Sequence, residues 1–301
     1  MNQRGMLLMA GLTVTALCWP VLHAQESKKT AAPEMHTYST VVGVNLKAFV
    51  FRPDAGSPTG TGKHTGPSAA VVLFHGGGWY MGEAEWVFPR AQNFAKLGVV
   101  AIAVQYRLAD QKQLTPLEAM ADARAVIRWM RANAAKLGID PKRIAAYGSS
   151  AGGHLAVSAV LFDDAPPGAK VSAAPNALVL VSPAVDLEND PWPQRLLGSR
   201  ASVASISPAA HVRKGMPPTL ILQGDVDTVT PLAGARRFCE RMLAAGNRCE
   251  LHVYAGFGHV FTPAGTRDDE MPQPDPRISA DASKKTEEFL RSLGFLQRTI
   301  N

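Results

Sequence analysis

"AAYGSSAGGHLA", residues 145–156, sets two serines among three glycines directly after a short apolar run. Glycine lacks the Cβ that would clash where a chain reverses sharply, so the stretch reads as a tight turn from a strand into a helix. The pattern G-x-S-x-G fits it in one register only: Gly148, Ser149, Ser150, Ala151, Gly152. Ser150 is then the central residue, in a strained conformation at the turn, and Ser149 is a neighbour with a local role. The helix that follows turns N–H groups and a positive dipole end toward the turn. By itself the pentapeptide is consistent with a plain turn as well as with one that presents a nucleophile.

Working outward, strands and helices alternate. "AAVVLFHG" (69–76), "VVAIAVQYR" (99–107), "RIAAYG" (143–148), "ALVLVSP" (177–183), "PTLILQG" (218–224) and "CELHVY" (249–254) read as strands, mostly continuous apolar runs as in buried parallel sheets. "HTYSTVVGVNLKAFVFRP" (36–53) alternates in period 2 around Gly43 and Asn45 and reads as an antiparallel hairpin. Residues 84–98, 115–138, 151–162, 231–246 and 279–295 read as helices; in the second, Met120, Ala123, Ile127, Met130 and Ala134 share one face. The expectation is an α/β fold with a mostly parallel eight-stranded sheet and helices on both sides. One irregular stretch, 187–218, is long for a crossover; residues 187–216 are expected to form a small cap.

In such sheets ligands sit beyond the C-terminal ends of the strands. "LFHGGGWYMG", residues 73–82, follows the first core strand and precedes Ser150 in the chain. Three successive glycines make a loop without side chains, whose N–H groups can bind a developing oxyanion. A flexible glycine turn is the plainer alternative, but two such motifs in this order are far more specific than either alone.

On these residues the chain resembles the α/β-hydrolase family, and within it the HGGG-bearing carboxylesterases similar to hormone-sensitive lipase and to compact bacterial acetylesterases. The resemblance rests on "HGGGW" (75–79), "YRLA" (106–109), "DPKRIAAYGSSAGGHLA" (140–156), "GDVDTVTP" (224–231) and "GFGHVF" (256–261). It implies an α/β-hydrolase fold over residues 25–301. It further implies an oxyanion hole from the N–H groups of Gly77, Gly78 and Ala151, with His75 bracing that loop. The family's chain order of serine, acid, histidine selects Asp227, in the loop after "TLILQ". Asp225 then reads as a turn residue, and Asp186 as a competing acid site used by some relatives. Among eight histidines, His259 follows a glycine-rich loop that can return its imidazole over Ser150. His252 and His154 read as structural. The expected catalytic set is Ser150, Asp227 and His259, acting through an acyl-enzyme without metal or cofactor.

The remaining features bear on setting. Arg4, the apolar run 6–19 and a small residue at Ala24 read as a secretory signal, residues 1–24, so export to the periplasm or beyond is expected, without stable membrane insertion. Cys18 has Leu17 before it, where a lipidation site would carry a small residue. Cys239 and Cys249 then remain, and an even number in an exported chain points to a disulfide. The formal charge of +6 comes from basic residues scattered among acids, which excludes a nucleic-acid-binding stripe. Trp79, Tyr80 and Trp192 are candidates to line the mouth, while Trp86, on a helix, reads as a core or rim aromatic; Trp79 and Tyr80 are the named substrate contacts. The expected partner is a small-molecule or carbohydrate ester. An amidase, formamidase-type or peptidase activity on the same residues is the alternative. A non-catalytic relative would more typically have lost the serine or the histidine.

Overall fold

The protein is described here by a computed structural model covering residues 32–53, 66–110, 113–162, 171–188, 190–267 and 270–297. The expected signal segment falls outside these residues, as does most of the Gly/Pro-rich loop after the first hairpin.

That hairpin pairs β1 (Glu34–Val41) with β2 (Val44–Phe51). Its turn is Val42–Gly43, both at positive φ, the backbone a two-residue hairpin requires. Then come β3 (Ser68–Phe74), α1 (Phe88–Lys96), β4 (Val100–Val104), α2 (Pro116–Ala132), α3 (Ala134–Leu137), β5 (Ile139–Ser149) and α4 (Ala151–Leu161). The second half holds β6 (Ala177–Val181), α5 (Pro191–Leu197), β7 (Thr219–Gly224), α6 (Leu232–Ala244), β8 (Cys249–Tyr254) and α7 (Pro276–Ser292).

The eight strands form one sheet in the order β1-β2-β4-β3-β5-β6-β7-β8. β1, β2 and β4 pair antiparallel, and every pair from β4 through β8 is parallel. Alternate residues of β3 serve opposite faces. Ala70, Val72 and Phe74 join the core under α2, α4 and α6; Val71 and Leu73 join the core under α1 and α7. With both faces covered, the central strands β3 to β7 show no polar alternation. The chain runs from β3 to β4 on one side and returns to β5 on the other. The crevice at that switch, beyond the strand ends, is where an open α/β sheet binds ligands.

Several boundaries differ from the sequence reading for local reasons. The helix expected over 84–98 is a 3₁₀ turn, Ala84–Val87, followed by α1, because Pro89 at its start has no N–H to continue one ladder. The long second helix breaks at Asn133, leaving the short α3, which Gly138 closes in the left-handed conformation. α7 starts three residues early: Asp275 accepts from the N–H groups of Arg277 and Ile278, and Pro276 occupies the first turn. Its buried face, Ala282, Thr286, Phe289 and Leu290, packs on the sheet. Burying a side chain such as Phe289 contributes about 1.5–3 kcal/mol. The insertion between β6 and β7 contains α5 and two 3₁₀ turns, Val203–Ile206 and Pro208–His211. α5 packs on α2, and the second turn packs on α4 and α6.

Cys239 on α6 and Cys249 at the start of β8 are joined by a disulfide, Cα atoms 5.6 Å apart, closing a ten-residue separation. A loop this short is expected to add about 2–3 kcal/mol of stability through the unfolded chain. The double variant Cys239→Ser/Cys249→Ser should therefore unfold at lower urea with unchanged turnover. Mass spectrometry after alkylation without reduction should find no modified cysteine at either position. Alkylation at both in active protein would remove the bridge from the native state.

Candidate active site

Ser150 sits between the last residue of β5 and the first of α4, at φ 53° and ψ −123°. That is a left-handed, strained backbone for a side-chain-bearing residue. The strain is held from several directions. Its N–H donates to Val181 O at 3.0 Å, and its carbonyl accepts from Gly153 N, His154 N and Ala184 N. The three glycines are each enforced by contact. A Cβ on Gly148 would lie 2.2 Å from Gly152 O, one on Gly152 would lie 2.2 Å from Phe74 O, and one on Gly153 would lie 2.7 Å from Pro183 Cβ. Helix α4 thus packs so tightly on β5 and β3 that no methyl group fits. Ser149 ends β5 in register with Val181.

The glycine loop after β3 lies against this turn: a Cβ on Gly76 would be 3.4 Å from Ser150 Cβ. Its peptides are fixed carbonyl by carbonyl. The Tyr106 hydroxyl donates to His75 O at 2.9 Å. His75 Nδ1 donates to Gly76 O at 2.6 Å. Tyr80 N and Met81 N donate to Gly77 O at 3.2 and 3.1 Å. In a trans peptide the N–H points opposite its carbonyl. Anchoring Gly76 O and Gly77 O therefore orients the N–H groups of Gly77 and Gly78. Among the described residues those two amides and that of Ala151 have no acceptor. Gly77 and Gly78 have φ 108° and 57°, and a Cβ on Gly77 would collide with Met81 O at 2.2 Å. His75 is buried and stacked on Tyr106 at 4.2 Å. Burial lowers its pKa to about 4, against a smaller upward pull from the Gly76 carbonyl. It is a neutral brace at physiological pH.

Asp227 and His259 meet in the loops after β7 and β8. His259 Nδ1 lies 3.1 Å from Asp227 Oδ2 and 3.2 Å from Oδ1. The carboxylate fixes the proton on Nδ1 and leaves Nε2 as the basic nitrogen. The buried Asp227 accepts from Val229 N and Thr230 N on one oxygen, and from Gln223 Nε2 and Thr230 Oγ1 on the other. Burial pushes its pKa up, but His259 and the Thr230 hydrogen bonds outweigh this and hold it below the usual carboxylate range. The loop after β6 joins the two halves. Ser182 Oγ accepts from Val260 N at 3.0 Å, Ser182 O lies 3.0 Å from Thr230 Oγ1, and the flanking Val181 and Ala184 hold Ser150. The competing acids are engaged elsewhere: Asp225 accepts from Gly256 N at 2.7 Å, and Asp186 pairs with Arg237. His252 lies within β8. His154 is buried on α4, with Nε2 on Ile206 O at 2.9 Å.

One expected substrate contact is corrected. Trp79 is 2% exposed, and its indole N–H donates to His154 Nδ1 at 3.2 Å, so it belongs to the core. Its backbone, at φ 66°, turns the ring inward. Tyr80 is 45% exposed and packs edge-on against Trp192 at 4.9 Å; Trp86, 39% exposed, meets the edge of His75. Gln223, Thr230, Ser182 and Tyr106 were not singled out from sequence. Only Thr230 carried a readable signal, a hydroxyl three residues after an acid, as in Asx-type turns. No group of three or more His, Cys, Asp or Glu capable of holding a metal occurs among the described residues.

Esterase LipC of Mycobacterium tuberculosis is 30% identical over 221 residues, 65% of this chain and 54% of its own length. Carboxylesterase NlhH of the same species is 43% identical over 97 residues, 31% of this chain and 30% of its own. The chain spans about half the length of LipC and of the LipM hydrolase that it also matches. Among solved structures, the apo form of Thermogutta terrifontis esterase 2 is 33% identical with a TM-score of 0.76, covering 90% of this chain and 98% of that one. The family model for the alpha/beta hydrolase fold matches residues 71–263, from β3 past His259, and the protein belongs to that family.

Proposed function

We propose that the protein is an exported serine carboxylesterase that hydrolyses short acyl esters, acetyl esters above all, with carbohydrate as a fitting alcohol. The observation that carries this reading is the His259 imidazole. It is fixed by a buried, ionised Asp227 and tied through Ser182 to the same loop that holds the strained Ser150. In this reading Ser150 Oγ attacks the ester carbonyl and its proton passes to His259 Nε2. The N–H groups of Gly77, Gly78 and Ala151 stabilise the oxyanion. As the tetrahedral intermediate collapses, the C–O bond to the alcohol breaks and His259 returns the proton to the leaving oxygen. Water then repeats the attack on the acyl-enzyme and restores Ser150.

Support for a short acyl group comes from relatives. Thermogutta terrifontis esterase 2, 34% and 32% identical, has been solved with propionate and with butyrate bound. The ethyl acetate hydrolase of Pseudomonas putida is 34% identical over 145 residues. An open cavity of about 390 Å³ beside His259, walled in part by Val226, Thr228, Thr262 and Thr266, suits a hydroxylated alcohol. The exposed Tyr80 face offers a ring surface for sugar. The disulfide supports export, since such bridges persist in oxidising compartments.

The test is a panel of p-nitrophenyl acetate, propionate, butyrate and octanoate, run beside acetylated xylan. Acetate and propionate are expected to turn over at least about tenfold faster than octanoate, the scale of a few methylenes in an apolar pocket. Octanoate as the best substrate would make the enzyme a long-chain hydrolase instead.

A further inference from the structure

Five successive carbonyls of the glycine loop, His75 through Trp79, are each hydrogen-bonded. Four are held by the loop itself or by the segment after β4: His75 O by Tyr106, Gly76 O by His75, Gly77 O by Tyr80 and Met81, and Trp79 O by Ala109 N at 2.8 Å. Gly78 O differs. Its donor is the indole Nε1 of Trp192, 3.1 Å away and 114 residues along the chain, on α5 of the insertion between β6 and β7. The indole nitrogen sits so close to the loop that a Cβ on Gly78 would lie 3.0 Å from it.

We propose that Trp192 is a positioning residue of the oxyanion site, through which the insertion sets the geometry of the Gly77–Gly78 amides. This rests on the esterase reading above. Gly78 has φ 57° and no side chain to restrict it, so its two flanking peptides can turn against each other. The Gly77–Gly78 peptide carries one of the three assigned donors, and the Gly78–Trp79 peptide is its hinge partner. Tyr80 and Met81 hold Gly77 O on one side of Gly78 and the indole holds Gly78 O on the other, so both flanking peptides are tied and the Gly78 N–H keeps its aim without reorganising during reaction.

Trp192 is itself anchored. Asp190 caps α5 by accepting from Trp192 N at 2.9 Å, and the indole meets the Tyr80 ring edge-on. Arg200, just after α5, bonds Gln113 O and the Glu118 carboxylate of α2, both at 2.7 Å. Arg200 thereby fastens the insertion to α2 and the segment before it, while the Trp192 indole N–H and its ring contact with Tyr80 join it to the glycine loop.

A donor that only orients a transition-state contact should affect kcat and spare ground-state binding. Trp192→Phe keeps an aromatic ring against Tyr80 and removes the N–H. The expected result with p-nitrophenyl acetate is a fall in kcat of about tenfold with KM changed less than about twofold. Affinity for an alkyl boronic acid, which forms a tetrahedral adduct on the serine, should fall by the same factor as kcat/KM. Affinity for acetate should not. The isosteric benzothienylalanine at position 192 replaces the N–H by sulfur in a ring of the same shape, and should reproduce the loss even if Trp192→Phe folds poorly. Unchanged kcat in either folded variant overturns the proposal. So does a raised KM with kcat preserved, which would make the indole a substrate wall. A wild-type protein that hydrolyses no ester refutes the esterase reading instead, before any variant is compared.

Discussion

Replacing Ser150 with alanine is expected to lower ester turnover by about 10⁴–10⁶-fold while Ser149→Ala keeps most of it. The two serines are adjacent, but the fold treats them differently. Ser149 continues β5 in register with Val181, so its side chain follows the sheet. Ser150 alone stands at φ 53°, where the chain leaves the sheet and enters α4. Both serines border the glycine loop, since a Cβ on Gly76 would lie 3.4 Å from Ser150 Cβ and 3.5 Å from Ser149 Oγ, so it is the backbone at 150 that separates them. Alanine at 150 removes the attacking oxygen without changing backbone or volume much, so circular dichroism and the urea midpoint should match wild type. Residual activity at background from Ser150→Ala, beside an active Ser149→Ala, is the expected pair of results. The reverse pair would mean that the turn is used in a different register.

The second large effect concerns acid. Stability is expected to fall by about 2–2.5 kcal/mol per pH unit between roughly pH 6 and pH 4.5, as close to two protons are taken up on unfolding. Two buried histidines cause it. His75 and His154 both have pKa values lowered to about 4, in each case first by burial and against a smaller opposing pull from a backbone carbonyl. His154 also has no room for a second proton: Nε2 faces Ile206 O, and Nδ1 accepts from the Trp79 indole. Protonation there would set two donors face to face. In the unfolded chain both rings titrate near their ordinary value of about 6.5. Below that pH the unfolded state binds protons that the native state does not, so stability drops as pH falls and levels off only below about 4. Asp227, held below the usual carboxylate range, adds its loss at still lower pH. Urea unfolding at half-unit steps from pH 7.5 to 4.5 reads the slope directly. A flat unfolding free energy between pH 6.5 and 5 would show that these rings titrate freely in the native state.

The motifs of this site were legible because glycine and strand patterns report backbone demands that are local. Gly148, Gly152 and Gly153 mark a turn whose neighbours admit no Cβ, and a reader of the sequence sees that demand without knowing which atoms impose it. The same holds for the buried parallel strands, whose unbroken apolar runs follow from a sheet covered on both faces. The early start of α7 was legible too, in an aspartate followed by a proline, but the apolar periodicity that defines the helix begins later and drew the boundary with it.

The sequence by its own patterns carried the fold class and the strand-end loops that hold the candidate residues, and the resemblance added the expected set of Ser150, Asp227 and His259. What only the tertiary structure decided was who holds whom. Trp79 and Trp192 look alike in sequence, two tryptophans near glycines or prolines, yet one ring turns into the core against His154 and the other reaches across 114 residues to Gly78 O. Asp186, Asp225 and Asp227 each follow a strand; the resemblance favoured Asp227, and in the structure it is Asp227 that pairs with His259 while the other two are engaged elsewhere. Tyr106 and Thr230 lie inside the motifs "YRLA" and "GDVDTVTP" without a role assigned there, and Gln223 and Ser182 carry no pattern of their own. A buried polar side chain is selected by the unmatched hydrogen bond it completes; for Gln223 that partner is Asp227, four residues on, whereas for Ser182 and Tyr106 it is Val260 N and His75 O, brought near from other strand ends by the sheet.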